Sequence, residues 1–290
     1  MTGREGQLVR SLVERAAGLD GLKLVAVGRP ELDLQTPGSA AAAVAAHAPD
    51  LVINAAAYTR VDDAEDDEAG AFRINAEAAG EVAEVAAAVG AAVVQVSTDY
   101  VFEGSLTRAY REDDATAPLG AYGRSKLAGE EAVRAANPRH AIVRTAWVYG
   151  PFGRNFVRTM WGLARTREVL TVVADQVGTP TSSLHLADGL LALAARLRDG
   201  DEGGLGRTYH LAGTDEASWY AVAAEVAAHA ARRDGKAAAV RPIRTVDFPT
   251  RAARPANSRL DSSCFAEMFG YRAPPWREGV AETVARLAAE

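Results

Sequence analysis

Short apolar runs alternate with amphipathic helical stretches along the first half of the chain. Three runs, 51–53, 91–96 and 141–145, have the length of buried strands. Helical periodicity lies between them, at about 69–89 and again from Tyr122 onward. This alternation predicts right-handed βαβ units, and hence a Rossmann-like doubly wound α/β fold with a parallel sheet.

The second half of the chain has a less regular pattern. Helices are predicted at about 155–166, 185–198, 219–233 and from Trp276, with short strands at 170–173 and 208–212. Pro151 and Gly153 mark the change in pattern. We expect residues 1–150 to form one domain and 151–290 mainly a smaller α/β domain, with about 183–212 returning to the first.

The net charge and residue composition of the chain exclude several classes of protein. A net charge of −6 gives no basic surface for nucleic acid or an anionic membrane, and no apolar run approaches the length of a membrane span. The five histidines form no ligand-spaced cluster, so we expect no metal centre. The single cysteine, Cys264, excludes an intrachain disulfide and favours a reducing cytoplasm. An oligomer is neither predicted nor excluded.

Thr98, Tyr122 and Lys126 carry the candidate chemistry. Thr98 closes the apolar run 91–96, and Tyr122 and Lys126 are four residues apart on one face of the next helix. Open α/β sheets bind ligands at the carboxyl ends of their strands, where these three side chains would meet. A nearby ammonium favours the phenolate, so Lys126 is predicted to lower the pKa of Tyr122 for proton exchange with a carbonyl oxygen. A surface Tyr and Lys at an ordinary helix start would fit the same spacing.

Gly3 and Gly6 precede a predicted helix, 7–17. Glycines at such a turn let backbone amides approach a pyrophosphate, and the helix N-terminus favours its charge. An ordinary turn would have the same residues. A strand is predicted at 22–27, and Thr36 is predicted to cap a helix with Pro37 at its first position.

Five motifs identify the chain as resembling the extended short-chain dehydrogenase/reductase family. They are S-T-D-Y-V-F from Ser97, Y-G-R-S-K-L-A-G-E from Tyr122, R-T-A-W-V-Y-G from Arg144, D-Q-V-G-T-P-T from Asp175 and R-P-A-N-S from Arg254. The resemblance implies reduction of the 4-keto group of a dTDP-linked 6-deoxy sugar by hydride from NAD(P)H. Thr98, Tyr122 and Lys126 are then catalytic, 1–150 binds the cofactor, and 151–290 mainly binds the nucleotide sugar.

The amino-terminal stretch departs from that family pattern in two ways. An apolar strand normally precedes the glycine turn, whereas only Met1 and Thr2 precede Gly3 here. We therefore expect the first strand of the sheet to be missing from this chain and the native chain to begin upstream of Met1. Val9 stands where a third glycine often falls, which puts close helix–strand packing in doubt.

The cofactor is predicted to be NADPH, with NADH as the alternative. No acid ends the run 22–27, whereas Arg29 follows it and Arg4 lies in the glycine turn; arginine accommodates the 2′-phosphate of NADP. The predicted contacts are Gly3, Arg4, Gly6, Gln7, Leu8, Arg29, Asp33, Leu34, Ala55, Ala56, Ala57, Thr59, Asn75, Tyr122 and Lys126. An internal hydrogen bond is the alternative role for Asn75, and the acidic run 62–68 predicts a solvated helix face, with Mg²⁺ binding as the alternative.

The resemblance also implies a set of substrate contacts: Thr98, Tyr100, Trp147, Asn155, Phe156, Gln176, Arg254 and Asn257. Arg254 would pair with the diphosphate, because a guanidinium matches phosphate oxygens. Trp147 would form a wall against the sugar ring, although a buried core Trp would look the same in sequence.

Tyr100 bears on the reaction within the family. Sugar-nucleotide dehydratases resemble T-D-E where this chain has Thr98, Asp99 and Tyr100, so simple ketone reduction is preferred over dehydration. Three alternatives remain open: a reductase or an epimerase for another nucleotide sugar, and a non-catalytic NADP-binding regulatory subunit.

Overall fold

The computed structural model describes residues 1–290. Its α-helices are α1 (Gln7–Ala16), α2 (Ser39–His47), α3 (Glu68–Phe72), α4 (Ala78–Ala88), α5 (Ala121–Ala136), α6 (Phe156–Thr166), α7 (Ser183–Arg198), α8 (Trp219–Asp234), α9 (Ser263–Phe269) and α10 (Trp276–Leu287). A π-helical turn, Arg73–Glu77, joins α3 to α4. None of these helices combines the length and apolar character that crossing a membrane requires.

The strands are β1 (Leu51–Asn54), β2 (Ala92–Thr98), β3 (His140–Thr145), β4 (Val148–Tyr149), β5 (Val169–Val173), β6 (Val177–Gly178), β7 (Thr181–Ser182), β8 (Arg207–His210), β9 (Ala217–Ser218), β10 (Ala239–Ile243) and β11 (Asn257–Ser258). The main sheet has the order β1-β2-β3-β8, with every pair parallel. Small sheets pair β10 with β5, β4 with β7, and β6 with both β11 and β9.

Helices cover both faces of the main sheet. Successive residues of a strand point to opposite faces, so Val94 of β2 packs against α1, α7 and α9, and Val93 packs against α2 and α4. Leu12 and Leu190 are completely buried on the first face. Two covered faces explain the nearly continuous apolar runs of the strands, and they confirm the predicted doubly wound α/β fold.

A third apolar core lies away from the main sheet. It is formed by α6, α8 and α10, and by residues of β5, and it includes Trp161, Val226 and Val280. The chain leaves this region through α7, which packs on the main sheet, and β8 then joins that sheet beside β3. The polypeptide therefore passes between the two regions more than once.

The predicted strand 22–27 is wrong for most of its length. Only Val27 pairs, in an isolated parallel bridge with Thr2, and residues 22–26 have no strand geometry. Met1–Gly3 lies between that segment and β1, because Thr2 N donates to Ile53 O (3.0 Å) and Val27 N donates to Met1 O (2.9 Å). A strand needs a partner along its length, and Met1–Gly3 is long enough to pair with only the end of 22–27.

Three further differences concern local structure. The alanine-rich helix begins at Ser39 behind Gly38, which has a left-handed φ of 77°, so Thr36 does not cap it. Strand β10 and helix α9 lie where no element was predicted. The remaining predicted helices and strands are confirmed to within about two residues at either end, a difference expected for frayed ends.

Candidate active site

The end of β2 and the start of α5 bring Thr98 and Tyr122 together. Gly123 makes this approach possible, because a Cβ there would collide with the carbonyl oxygen of Tyr100. Gly129 has the same effect two turns later, against the carbonyl oxygen of Asn75. Gly123 therefore lets α5 pack next to the strand end, and Gly129 lets it pack against the π-helical turn that contains Asn75.

Thr98 lies in a short hydrogen-bonded network at the carboxyl end of β2. Its hydroxyl donates to Asp99 Oδ1 (3.0 Å) and accepts from Tyr100 N (3.2 Å). The Tyr122 hydroxyl lies within reach of the same oxygen. The rings of Tyr100 and Tyr122 meet edge to face, with centroids 5.7 Å apart. Thr98 and Tyr122 can thus address one substrate oxygen from the same side.

The structure does not show the predicted lowering of the Tyr122 pKa by Lys126. Burial raises the pKa of Tyr122 to about 12, and the Asp99 carboxylate acts in the same direction against a hydrogen bond with Thr98. Lys126 Nζ instead donates to the carbonyl oxygen of Val96 (2.6 Å). A high pKa keeps Tyr122 protonated at neutral pH, which is the form that can donate a proton.

A buried ion pair lies beneath Lys126. The Glu130 carboxylate accepts two hydrogen bonds from Arg144 (2.8 and 2.7 Å) and one from Ser97 (2.6 Å), and Glu130 and Arg144 are both buried. Burial lowers the pKa of Lys126 to about 8, and Glu130 opposes that shift. Glu130 therefore helps to keep Lys126 charged.

The buried Asp99 carboxyl predicts a pH-dependent stability. Burial raises its pKa from 3.8 to about 7. Between those values the folded state keeps a proton that the unfolded state has lost, so this contribution is full below about pH 4 and is lost as pH rises towards 7. Between pH 4 and 8 we expect the unfolding free energy of Asp99→Asn to fall by roughly 1–4 kcal/mol less than that of the unsubstituted chain. Urea denaturation at pH 4 and pH 8 measures the unfolding free energy of both proteins. An equal fall in the two proteins would show that Asp99 is ionised in the folded chain.

The glycine turn faces the same edge of the sheet. Gly3 has a φ of 95°, which glycine adopts readily, and its amide donates to Val27 O (2.7 Å). The Thr2 hydroxyl accepts from the amides of Ala55 and Ala56 (3.1 and 3.0 Å), which ties the turn to the loop after β1. Gly6 is the N-cap of α1 and brings no side-chain cap, so the first amides of the helix are free to bind an anion.

Val9 fits this turn without displacing it. Its side chain is buried, and a Cβ at Gly3 would lie 3.2 Å from Val9 Cγ2. Leu8 is buried beside it, and Gln7 Nε2 donates to Val148 O (3.1 Å). The doubt that the sequence raised about packing at Val9 is therefore resolved by the glycine opposite it.

An acid, Glu31, lies four residues beyond the 22–27 segment. Glu31, two residues after Arg29, forms an ion pair with Arg4 (2.8 Å), and that hydrogen bond lowers its pKa. Arg29 is exposed on the same edge and forms no ion pair. Asp33 accepts from the amide of Gln35 (3.0 Å), and Leu34 is buried. Arg29 is thus the freer of the two predicted cations.

Asn75 is held by internal hydrogen bonds, which was its alternative role. Its Oδ1 accepts from Tyr58 N (2.9 Å), and its Nδ2 donates to Tyr58 O (3.1 Å) and Ser125 Oγ (3.0 Å). It joins the loop after β1 to α5. Ala57 and Thr59 flank Tyr58 in that loop, with Thr59 exposed.

Trp147 lies between β3 and β4 and stacks on Trp219, the first residue of α8. Their rings are nearly parallel, with centroids 3.6 Å apart, and Phe156 packs against Trp219 at 4.7 Å. Trp147 has a left-handed φ of 48°, and its Nε1 donates to Ser258 Oγ (2.9 Å). A Cβ at Gly178 would collide with the Trp147 indole. The backbone strain at Trp147 is therefore balanced by contacts that fix its ring.

The three predicted amide side chains are all bonded within the chain. Gln176 Oε1 accepts from Trp219 Nε1 (3.2 Å), so it orients that ring. Asn155 caps α6 through the amide of Arg158 (3.0 Å). Asn257 donates to the carbonyl oxygens of Leu106 and Arg108 (2.6 and 2.8 Å). These hydrogen bonds stabilise the segments that carry the three side chains.

The acidic run holds arginines rather than forming only a solvated face. Asp62 pairs with Arg254 (2.7 and 3.2 Å), and this hydrogen bond lowers the pKa of Asp62. Asp63 and Asp66 both pair with Arg251. No group of three or more His, Cys, Asp or Glu side chains is arranged to hold a metal ion. The run thus fastens the loop 244–256 to the region of the main sheet.

Sequence reasoning missed four residues at this site: Asp99, Glu130, Glu31 and Trp219. Asp99 and Glu130 stand inside the quoted motifs, so their position was visible although their burial was not. Trp219 begins α8, some seventy residues beyond Trp147, and no spacing rule connects the two rings.

The chain is similar over its whole length to proteins of a known family. Residues 1–289 match the family described as the RmlD substrate binding domain. The dTDP-4-dehydrorhamnose reductase of Sinorhizobium fredii is 40% identical over all of this chain and 97% of its own length. A probable dTDP-4,6-dihydroxy-2-methyloxan-3-one 4-ketoreductase of Streptomyces antibioticus is 42% identical over 90% of this chain and 85% of its own.

The dTDP-4-dehydrorhamnose reductase of Bacillus anthracis, solved in complex with NADP, has the same fold. It superposes with a TM-score of 0.87 at 34% identity, covering 98% of this chain and 97% of that one. The family match and the relatives extend over both the main sheet and the smaller sheets. The chain accordingly belongs to the RmlD substrate binding domain family.

Proposed function

We propose that this chain is a reductase that converts dTDP-4-dehydro-L-rhamnose to dTDP-L-rhamnose with hydride from NAD(P)H. The observation that carries the proposal is the meeting of Thr98, Tyr122 and Lys126 at the carboxyl end of β2, in a chain with full-length reductase relatives. Residues 1–150 would bind the cofactor and 151–290 mainly the sugar nucleotide, with about 183–212 belonging to the first domain. One cysteine in 290 residues is compatible with the cytoplasm.

The residues of the glycine turn fit a dinucleotide. The uncapped N-terminus of α1 offers amides to the pyrophosphate, and Gly3 and Gly6 leave space for it. Arg29 is exposed and would accommodate a 2′-phosphate, which supports NADPH over NADH. When bound, the nicotinamide supplies the hydride that adds to C4 of the sugar.

Tyr122 is the proton donor in this proposal. Its raised pKa keeps the hydroxyl protonated, so it can transfer a proton to the C4 oxygen as negative charge develops there. Thr98 donates its hydroxyl hydrogen to the same oxygen by turning away from Asp99. To stabilise the Tyr122 phenolate that remains, the Lys126 ammonium would have to turn from Val96 O towards Tyr122.

On the substrate side, Trp147 and Arg254 are the main contacts in this proposal. Trp147 presents an aromatic face fixed by Trp219 and Ser258, which suits a sugar ring. Arg254 lies next to Tyr100 and can turn part of its guanidinium to a diphosphate while Asp62 holds the rest. Tyr100 and Phe156 would complete the contacts with the sugar nucleotide.

Arg254 and Arg251 provide a matched pair of variants. Arg254→Ala is expected to raise the KM for the sugar nucleotide about 10–100-fold with little change in kcat, because a charge-assisted contact with the diphosphate is lost. Arg251→Ala removes a neighbouring cation that pairs only with Asp63 and Asp66, and it should change KM less than threefold. Steady-state kinetics measure the KM of both variants. Equal changes in KM would mean that both arginines act only by fastening their loop to the acidic run.

The function is tested by following NADPH oxidation at 340 nm with the 4-keto-6-deoxy sugar nucleotide. Turnover that produces dTDP-L-rhamnose supports the proposal. NADPH binding without turnover on this or any related sugar would favour a non-catalytic regulatory subunit. The same assay with NADH in place of NADPH measures cofactor preference, and Arg29→Ala should reduce that preference.

A second candidate is reduction of a different dTDP-linked keto sugar. The Streptomyces antibioticus relative, named for another 4-keto substrate, is 42% identical to this chain, so identity alone does not separate the two activities. A panel of dTDP-keto sugars ranked by kcat/KM distinguishes them, because specificity is a ratio of those values.

A further inference from the structure

Asp99 is a buried carboxyl group without a cation as partner. Its side chain oxygen Oδ1 lies 3.0 Å from Thr98 Oγ1, and its other oxygen, Oδ2, is buried and has no hydrogen-bond partner. The groups that bond to it are hydroxyls and backbone amides. A buried carboxylate without a compensating charge is unfavourable, so burial favours the neutral acid. Asp99 therefore has a proton of its own to donate.

The hydrogen bond between Thr98 and Asp99 can run in either direction. A hydroxyl group has one hydrogen to donate and two lone pairs that accept. One lone pair of Thr98 Oγ1 already accepts from Tyr100 N (3.2 Å). An ionised Asp99 can only accept, so it takes the Thr98 hydrogen. A neutral Asp99 can instead donate to the second lone pair of Thr98, which leaves the Thr98 hydrogen free.

The direction of this bond also decides where the Tyr122 hydrogen points. The Tyr122 hydroxyl lies within reach of Thr98 Oγ1. When Asp99 is ionised, Thr98 keeps a free lone pair, and Tyr122 can donate its hydrogen there. When Asp99 is neutral, both lone pairs of Thr98 are occupied, and Tyr122 has no acceptor in Thr98. One proton on Asp99 thus frees the hydrogens of two hydroxyl groups.

Ser258, on β11, supplies the other partner that a neutral carboxyl group needs. Its hydroxyl lies beside the Asp99 carboxyl and accepts from Trp147 Nε1 (2.9 Å). Because its lone pair is used by the indole, its hydrogen is available to Asp99. A carboxylic acid that donates to Thr98 and accepts from Ser258 has both of its oxygens engaged.

The titratable groups around Asp99 come from three parts of the chain. Tyr100, on the same turn, and Tyr122, on α5, both have a pKa raised by burial. Arg254, in the segment before β11, lies beside Tyr100 and pairs with Asp62. Lys126, also on α5, has a pKa lowered to about 8 by burial. Lys126 is therefore the group whose titration must be separated from that of Asp99.

We propose that Asp99 is a positioning residue of the reductase: as a neutral acid it donates to Thr98 and so turns the hydrogens of Thr98 and Tyr122 towards the C4 oxygen of the substrate. Asp99 keeps its proton throughout, and the proton that reaches the C4 oxygen is the one on Tyr122. Ionisation of Asp99 reverses its bond with Thr98 and draws both hydrogens away. This inference rests on the proposed reduction and adds a pH dependence to it.

The test follows the rate of NADPH oxidation by rapid mixing at saturating sugar nucleotide. Because burial raises the pKa of Asp99 to about 7, the unsubstituted chain should lose about tenfold in rate between pH 6 and pH 8. The amide of Asp99→Asn donates to Thr98 at every pH, so this variant should lose less than about threefold. Asp99→Ala has no donor and should be about tenfold slower than Asp99→Asn at pH 6. In the unsubstituted chain the KM for the sugar nucleotide should change less than about threefold over the same range, since Asp99 acts on the hydroxyls and not on binding.

Glu112→Gln is the matched control. Glu112 is a second carboxyl whose pKa is raised by burial, and it accepts from His210 N (2.8 Å) rather than from a residue of the site. This variant should keep the rate loss of the unsubstituted chain. A rate loss of the same size in Asp99→Asn would overturn the proposal, because the loss would then belong to Lys126. Equal rates of Asp99→Asn and Asp99→Ala at pH 6 would overturn it too, since a donor at this position would have no effect.

Infrared difference spectroscopy tests the protonation of Asp99 without turnover. A neutral carboxyl has a carbonyl stretch that an ionised one lacks, so a band should disappear on raising the pH from 6 to 8 and be absent from Asp99→Asn. The lack of such a band in the unsubstituted chain would overturn the proposal even if the chain is active. If no keto sugar is reduced, the proposed function fails, and the spectrum still shows whether Asp99 is neutral.

Discussion

Tyr122→Phe is expected to lower the turnover number by roughly 10²–10⁴, because the variant lacks the proton donor for the C4 oxygen. The Tyr122 ring would stay in place against Tyr100, so the Kd for NADPH should change little. Because burial raises the pKa of Tyr122 to about 12, its donating form persists throughout the neutral range. Rapid-mixing measurement of NADPH oxidation at saturating sugar nucleotide gives the chemical step directly.

The neighbouring phenol serves as the control. Tyr100→Phe removes a hydroxyl that lies beside Arg254. Tyr100 bonds to Thr98 through its backbone amide, which the substitution keeps. We expect it to raise KM more than it lowers turnover. Equal losses in the two variants would mean that the pair acts together on the proton, and an unchanged Tyr122→Phe would remove Tyr122 from the mechanism.

Glu130→Ala is expected to be the most destabilising single change near the site, lowering the unfolding free energy by roughly 3–5 kcal/mol. It would leave Arg144 buried and charged without its partner. Burial by itself raises the pKa of Glu130, but the Arg144 guanidinium outweighs burial and the pKa is lowered overall. The carboxylate is thus ionised in the folded chain and can compensate Arg144. Urea denaturation monitored by circular dichroism measures the loss.

Arg134→Ala is the matched control for that loss. Arg134 bonds to the same Glu130 carboxylate (2.9 Å) but its side chain is 36% exposed, so its loss should cost less than about 1 kcal/mol. A comparable loss in both variants would show that the carboxylate depends on its full set of partners. Removing Glu130 should also lower the Lys126 pKa below about 8, since Glu130 opposes the effect of burial there.

Much of the main sheet could be predicted because its strands are buried on both faces and therefore read as continuous apolar runs. Segment 22–27 is also mostly apolar but lacks a full-length neighbour, so its pattern predicted a strand that the structure does not have. Strand β10 was missed because Pro242 lies inside it; a proline there is tolerated at an edge, where its missing amide is not needed.

At the site, sequence patterns located side chains that lie close together in the chain. Tyr122 and Lys126 are four apart, and Thr98 is fixed by a strand end, so their grouping follows from local geometry. Burial and partner choice are tertiary properties. The bonds of Lys126 to Val96, Gln176 to Trp219 and Asp62 to Arg254 depend on the packing of distant segments, and no local pattern contains them.

Strand β8 sets the order in which the molecule can assemble. It pairs with β3, yet more than sixty residues separate the two strands along the chain, including α6, β5 and α7. During synthesis β3 emerges long before β8 and must wait with one edge unpaired. Such long-range closure slows folding and prolongs the exposure of a strand edge. Ribosome-bound chains that end near residue 200 should therefore be the ones that most need chaperone protection.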